Sequence, residues 1–371
     1  MNRSGQIKGT CMDMCPEQER KMRELQMRLH PLEMVLGTED SRRPRSDPSA
    51  TIKEYSRPAA GKADALTSDL RPPQVLLKTV HFMIKRILPR TDYRFVKLYD
   101  FVFDRLRSVR QDLVIQRVTG TECVQILEMA VRFHLYSGYS LCTEPVANYD
   151  GKINADHAQE CLKRLLVMYR DADREGTVIS NDREELEALY LLFNLGSTEA
   201  LQHAVSLPKQ VRQHPSVRLA LRIHSANLQG NFLRVWRLAS ECSYIQSCAL
   251  HRHLLEMRRR ALQVLNAAYS SKNLCFPVGV LSRWLLFDTD EEGRVFCRSH
   301  GLRVDEDGVR FQKSSPLSTG SPQSGPFKCS KLVDSKQRGV KVHDLIMGHT
   351  NRDHSVTRRG DEDGSSTQAC R

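Results

Sequence analysis

The residues of this 371-residue chain best suited to chemistry are its cysteines, histidines and clustered charges. Cys242, Cys248, His251 and His253 have the composition of a zinc set. They fall in an apparent helix, where only residues three or four apart share a face, so Cys248 and His251 align while His253 points elsewhere. Ordinary helix positions, core or surface, are therefore expected for all four. Cys11 and Cys15 lack a second pair, and no basic partner for a thiolate can be named near either. Asp288, Asp290, Glu292 and Gly293 mimic the start of a calcium loop, but its twelfth position is Ser299 rather than a bidentate Glu. An acidic helix N-terminus is expected there instead. The phosphate-loop, dinucleotide, H-E-x-x-H and G-x-S-x-G signatures are absent. No catalytic residue, cofactor or metal ligand is assigned, and an enzyme is not expected.

Charge is the stronger signal. Lys plus Arg number 56 against 44 Asp plus Glu, a net charge of +12 that attracts phosphate or acidic partners. Arg105, Arg107 and Arg110 crowd one segment, flanked by Lys97 and Arg117, with Asp100, Asp104 and Asp112 interleaved. Two readings follow, a helix paired internally at i, i+3 and i+4, which is favoured, or direct phosphate contact. Eleven irregularly spaced cysteines, several at apolar helix positions, read as reduced, mostly buried thiols of an intracellular protein. The longest apolar runs, such as Leu189 to Phe193, are far below the roughly 20 residues that span a bilayer, and the N-terminus lacks an apolar signal core. No membrane partner is expected.

The elements that would position these residues are helices. Aromatics make up 6% of the chain, with only two Trp, which argues against sandwiches, barrels and propellers. Residues 1–36 read as an N-terminal docking segment, with Met12, Met14, Cys11 and Cys15 expected to bury and Pro16 opening a helix. Residues 37–71 read as a flexible linker. Residues 72–276 are almost continuously amphipathic with short loops, a stack of helical hairpins. Asp92, Asn154 and Asn181 are expected to cap helices there. Phe95, Leu98, Val102, Leu106, Val109 and Leu113 step by three and four, predicting one buried stripe. Over residues 277–312 the order is helix, helix, then apolar alternation around Asp307-Gly308, a hairpin signal. That is the order of a winged-helix module. Residues 313–371 read as a disordered tail, with an apolar island from Val340 to Met347 able to fold on a partner.

Three stretches go beyond composition: GTCMDMCPEQER from Gly9 to Arg20, YDFVFDRLRSVRQDLVIQ from Tyr99 to Gln116, and NFLRVWR from Asn231 to Arg237. Lys78-Thr79, Glu128 and Arg132-Phe133-His134 accompany the second. Together with the module after Pro277 they resemble the SAC/GANP family over most of residues 9–312. The positions carrying the motif are Cys11, Cys15, Pro16, Asp104, Arg105, Arg107, Arg110, Gln111 and Asp112.

The resemblance implies an all-α, PCI-like stack of helical hairpins ending in a winged helix, and a non-enzymatic scaffold in mRNA export or processing. It implies a PCI-type helical subunit and a small acidic subunit as partners, with RNA bound by paired winged helices, and a nuclear location. The family's centrosome link gives the alternative, a spindle-pole regulator of centrosome duplication and mitotic progression that acts through centrosomal proteins. The tail after Gln312 has no FG dipeptide and no long apolar helix, as expected of a short, domain-only member.

Candidate nucleic-acid contacts are Lys85, Arg86, Arg90 and Arg94, and in the terminal module Arg294, Arg298, Arg303, Arg310 and Lys313. Seven carboxylates crowd the same module, so weak, sequence-independent binding is expected of it alone.

Overall fold

The structure, a computed structural model, describes residues 7–57, 66–306, 308–312, 317, 327–337 and 339–348. It is mostly helical, and the described strands are two short ones. The chain divides into two compact units, residues 1–130, 170–180 and 340–371 in one, and 131–169 and 181–339 in the other.

In the first unit, α1 (Glu17–Leu25) follows Pro16, and α2 (Pro73–Phe82) runs into a π-helical turn, Met83–Ile87. Next come α3 (Phe95–Ile115) and the first half of α4 (Thr121–Ser140). α3 is the centre of this unit. Leu98, Val102, Leu106, Val109 and Leu113 are buried as the periodicity predicts, and Phe95 is half-buried. Arg94, not Asp92, occupies the N-cap position, and Asp92 instead pairs with Arg90.

The polar side of α3 holds much of the described chain that precedes α2. Arg23 and Glu33 are fully buried, and the Glu33 carboxylate accepts from Arg23 Nη1 at 2.8 Å and Arg105 Nη2 at 3.0 Å. Its other oxygen accepts from the Ile52 N–H at 2.9 Å. Burial alone would push the Glu33 carboxyl up, but Arg105 and Arg23 outweigh it and hold the group below the ordinary range. About two turns further along α3, Asp112 accepts from Arg71 Nε and Lys53 Nζ, both at 2.8 Å. Arg71 continues to Ser108 Oγ at 2.9 Å and the Met14 carbonyl at 3.1 Å. Gln116 closes the row, donating to the Arg71 carbonyl and accepting from the Gly9 N–H, both at 2.8 Å.

Residues 9–20 are therefore docked, with Cys15 buried and Met12 left exposed. Expected to be a flexible linker, residues 37–57 and 66–71 instead lie on the fold, with Thr51, Ile52, Leu70 and Arg71 fully buried. Their few apolar side chains hid this, because charged groups do most of the anchoring.

The second unit takes the rest of α4 and most of α5 (Gly151–Glu175). It continues through α6 (Arg183–Phe193), α7 (Thr198–Ser206), α8 (Lys209–Gln213), α9 (Pro215–Leu228) and α10 (Phe232–Ala239). α11 (Tyr244–His251) and α12 (Leu254–Ala268) complete the helical layer. α6 is its hub, buried along Leu186, Leu189 and Leu192 and packed on α9 and α11. Side-chain caps start several helices: Ser197 for α7, Asn231 for α10, and a Ser243–Gln246 capping box for α11.

Two expected caps fall elsewhere. Asp150, not Asn154, accepts the first N–H groups of α5, and Asn154 is buried against His134, its Oδ1 2.8 Å from the ring Nδ1. Asp182, not Asn181, precedes α6, and its carboxylate receives Arg132 at 2.8 Å. Asp150, four residues before Asn154, caps with its side chain, whereas Asp182 holds the N-cap position of α6 without a side-chain cap hydrogen bond.

The C-terminal reading is corrected most. Residues 327–337 carry buried Cys329, Leu332 and Val333 in the second unit. Val342–Met347 forms α15, whose Leu345 and Ile346 are buried and which packs on the Met83–Ile87 turn of its own chain. Residues 313–316, 318–326, 338 and 349–371 lie outside the described residues.

Removing Glu33 takes away the one fully buried anion between Arg23 and Arg105 and leaves them only the more exposed carboxylates of Glu19, Glu54 and Asp104. Glu33→Ala is expected to lower unfolding free energy by about 3–5 kcal/mol, as removal of one partner of a buried ion pair does. Urea denaturation at pH 7 measures it, and a loss under 1 kcal/mol contradicts the buried network.

Candidate nucleic-acid interface

The terminal module begins at Phe276. Pro277 starts α13 (Val278–Trp284), and Thr289 caps α14 (Asp290–Ser299), accepting from the Glu292 N–H at 3.2 Å. Asp290, Glu291 and Glu292 fill the first turn of α14, where the helix dipole favours acids. β1 (Arg303–Val304) and β2 (Val309–Arg310) pair antiparallel, with Arg303 opposite Arg310 and Val304 opposite Val309. Phe276 extends this ladder, exchanging two backbone hydrogen bonds of 2.8 and 2.9 Å with Val309. Gly308 makes the approach possible, since a Cβ there would stand 2.2 Å from the Phe276 carbonyl oxygen. Phe276, Leu281, Phe296 and Phe311 share a core with Leu262 and Leu265 of α12.

The cations expected to meet phosphate here are engaged with their own module. Arg294 donates to the carbonyls of Asp305 at 2.7 Å and Glu306 at 3.1 Å, tying α14 to the hairpin turn. Arg298 pairs with Glu291 at 3.2 Å. Asp305 bridges the two cross-strand arginines, 2.5 Å from Arg310 and 3.1 Å from Arg303, and those hydrogen bonds hold its carboxyl below the ordinary range. From Pro277 to Gln312 five arginines face seven carboxylates, a net −2 in a chain of net +12. Lys313 and Asp307 lie outside the described residues.

Lys85, Arg86, Arg90 and Arg94 belong to the other unit. Lys85 and Arg86 are exposed on the π-helical turn whose Met83, Ile84 and Ile87 are buried. Arg90 is held by Asp92 and lies 4.9 Å over the Tyr93 ring, and Arg94 is exposed.

The motif residues do structural work. Asp104 accepts from the Tyr55 N–H at 3.2 Å, Arg107 stacks 3.9 Å over the Tyr55 ring, and Gln111 donates to the Ser56 carbonyl at 2.8 Å. Arg105 and Asp112 hold Glu33 and Arg71 as described, and Arg110 is buried. The helix is structural, but Arg105, Asp104 and Asp112 pair with Glu33, Tyr55, Arg71 and Lys53 far along the chain rather than with one another at i, i+3 and i+4. Burial pushes the Cys15 thiol up to about 12 and raises Cys11, which keeps both protonated.

The other chemical candidates are also accounted for. His251 Nε2 lies 2.7 Å from the Phe327 carbonyl and His253 Nε2 3.0 Å from that of Phe193, so the two rings serve different contacts. Among the described residues no group of three metal-ligating side chains comes together. No described helix is long and apolar enough to cross a membrane.

A strap over the module, Phe327 to Lys336, escaped the sequence reading. Asp288, first residue of the stretch that mimics a calcium loop, accepts the N–H groups of Ser330 at 2.6 Å and Lys331 at 2.9 Å. Lys331 Nζ reaches the Phe287 carbonyl, and Lys336 Nζ reaches the Ala239 carbonyl at 2.6 Å. Lys328 donates to the carbonyls of Tyr139 and Ser140, both at 2.8 Å. Arg258, fully buried, donates to Leu285 at 2.6 Å and to Leu286, and lies between the Phe287 and Phe327 rings at 3.8 and 4.4 Å. The only local signal was the Leu332-Val333 pair amid lysines, too short for a periodicity.

The model of the SAC3/GANP family matches residues 14–306. SAC3 family protein 1 of Schizosaccharomyces pombe is 28% identical over 92% of this chain and 35% of its own length. SAC3 family protein B of Arabidopsis thaliana is 27% identical over 91% of this chain and 20% of its own. Protein xmas of Drosophila melanogaster is 28% identical over 82% and 15%. The chain thus spans about a third or less of these three relatives.

Two outcomes test the strap. Asp288→Ala removes a charged acceptor of two N–H groups and should cost about 1.5–3 kcal/mol, with faster amide exchange at Ser330 and Lys331; unchanged exchange there contradicts the contact. Burial holds the His251 imidazole down to about 4, against about 6.5 when unfolded. The neutral ring is favoured in the fold, so its contribution is complete above pH 6.5 and is lost as pH falls towards 4. The stability gap between the native chain and His251→Gln should shrink between pH 7 and 5 in urea melts; a constant gap contradicts it.

Proposed function

Because the chain belongs to the SAC3/GANP family, we propose that it is a non-enzymatic scaffold of mRNA export or processing, acting in the nucleus. In this reading its helical layer is a PCI-type stack and α13, α14 and the hairpin are a winged helix that pairs with a second PCI-type subunit, alongside a small acidic one. The observation that carries the reading is the module itself, a helix–helix–hairpin unit whose aromatic-rich core it shares with α12, following a run of packed helices. Its net −2 charge and internally satisfied arginines suit contact with protein better than contact with phosphate alone. RNA is then held by the assembled pair rather than by this module in isolation. α14 also presents Val295, an exposed apolar side chain on an otherwise charged surface.

The test is co-expression of the tagged chain with PCI-type subunits, with imaging through the cell cycle. A stable complex and nuclear signal are expected. Val295→Asp is expected to weaken capture about tenfold, or about 1.4 kcal/mol, with no change in melting temperature. Absence of any PCI-type partner together with signal at spindle poles through mitosis overturns the reading in favour of a centrosomal regulator.

A further inference from the structure

The second unit carries a stretch without a single carboxylate. Between Glu199 and Glu241 there is no Asp or Glu, while Lys209, Arg212, Arg218, Arg222, Arg234 and Arg237 all occur there. Chance mixing in a chain that is 27% charged would interleave the signs, as it does in the terminal module.

The fold gathers these cations. α8 and α10 both pack on α9. Arg218 and Arg222 stand at i, i+4 on α9, opposite buried Val217, Ala220 and Ile223, and both are exposed. Arg234 and Arg237 stand at i, i+3 on α10, opposite buried Val235, Trp236 and Leu238, and both are exposed. Arg222 lies 3.7 Å from Glu241, which is one helical turn beyond Arg237, so the two rows adjoin. Lys209 is exposed at the start of α8, and Arg212 is anchored by the Val205 carbonyl at 2.5 Å.

We propose that the outer face of α8–α10 is a binding surface for the phosphate backbone of single-stranded nucleic acid. Five of its six cations are arginines, whose planar fork takes phosphate oxygens in pairs. Their i, i+3 and i, i+4 spacing along two adjoining helices makes a track rather than a point. Leu228 and Leu233 are the large apolar side chains exposed on α9 and α10, at the loop between them, so the face lacks the continuous apolar seam on which a partner helix seats. No aromatic is fully exposed along it, so binding follows the backbone without base stacking and without sequence preference. The inference rests on the reading above only in taking RNA as the natural ligand, and it places the contact outside the terminal module.

The experiment uses the full chain and a fluorescent uridine oligonucleotide in a salt titration. The native chain should bind at low salt, and Arg218→Glu/Arg222→Glu/Arg237→Glu should bind at least tenfold more weakly at an unchanged melting temperature. The milder Arg218→Gln/Arg222→Gln/Arg237→Gln should flatten the log–log salt slope by about 2, at roughly 0.7 per single-strand phosphate. Arg42→Glu/Arg43→Glu, an exposed pair on the other unit with no part in the proposed track, should leave binding unchanged. Native-strength binding by the triple variants, or equal loss through Arg42→Glu/Arg43→Glu, overturns the placement while leaving RNA as a ligand. If the native chain ignores RNA at all salts but still captures a PCI-type subunit, the proposal fails and the scaffold stands. Displacement of the RNA by poly-glutamate at equal charge assigns the face to an acidic protein and also overturns the proposal.

Discussion

The buried carboxylate of Glu33, shared by Arg23 and Arg105, is the constraint on which the first unit depends. Two guanidinium groups out of water repel each other unless anions lie between them, and, with Glu54 beside it, the fully buried Glu33 supplies the inner one. Its position in turn fixes α1, the turn at residues 31–33 and the backbone at Ile52, because each supplies a group to the same site. Asp112 repeats the device with Arg71 and Lys53. The apolar-poor segments 37–57 and 66–71 are thereby held without a hydrophobic core of their own. The physical logic is that ionic anchors are geometrically exacting, so they select one path for a chain that hydrophobic contact alone would leave loose.

The same economy of charge shapes the terminal module. Its arginines are spent on hairpin carbonyls and on Asp305, and Arg258 and Lys331 hold the carbonyls of the α13–α14 connection. Leu286 in that connection has φ of 54°, an unfavourable conformation for a branched residue, and the ring of donors around it keeps the turn in place. Positive charge that looked available in sequence is structural here. The cations of α9 and α10 differ because no carboxylate is near enough in sequence or on the neighbouring helix to claim most of them.

Family membership, helical class and the order of the last elements all fit one description. That description is a packed helical layer followed by a helix–helix–hairpin unit. The three relatives are three to seven times longer than the matched segment, so this chain corresponds to one region of those proteins.

Helices, the α3 stripe, the hairpin and the docking of Gly9–Arg20 were legible from residue types because their signals are local. A repeat of three and four, a Pro before a first turn and a glycine between alternating apolars each need only a few neighbouring residues. The paired state of the Arg105–Asp112 helix was half legible, since the opposing charges were visible but their true partners, Glu33 and Arg71, lie 72 and 41 residues away. The caps misplaced onto Asn154 and Asn181 show the limit of local rules where two capping residues compete within four positions. What only tertiary structure decided was the fate of segments with little periodicity, residues 37–57 and 327–337. Their anchoring consists of single lysines, carboxylates and backbone groups meeting partners far along the chain, and such pairings leave no periodic trace because they exist only once the helices have closed around them.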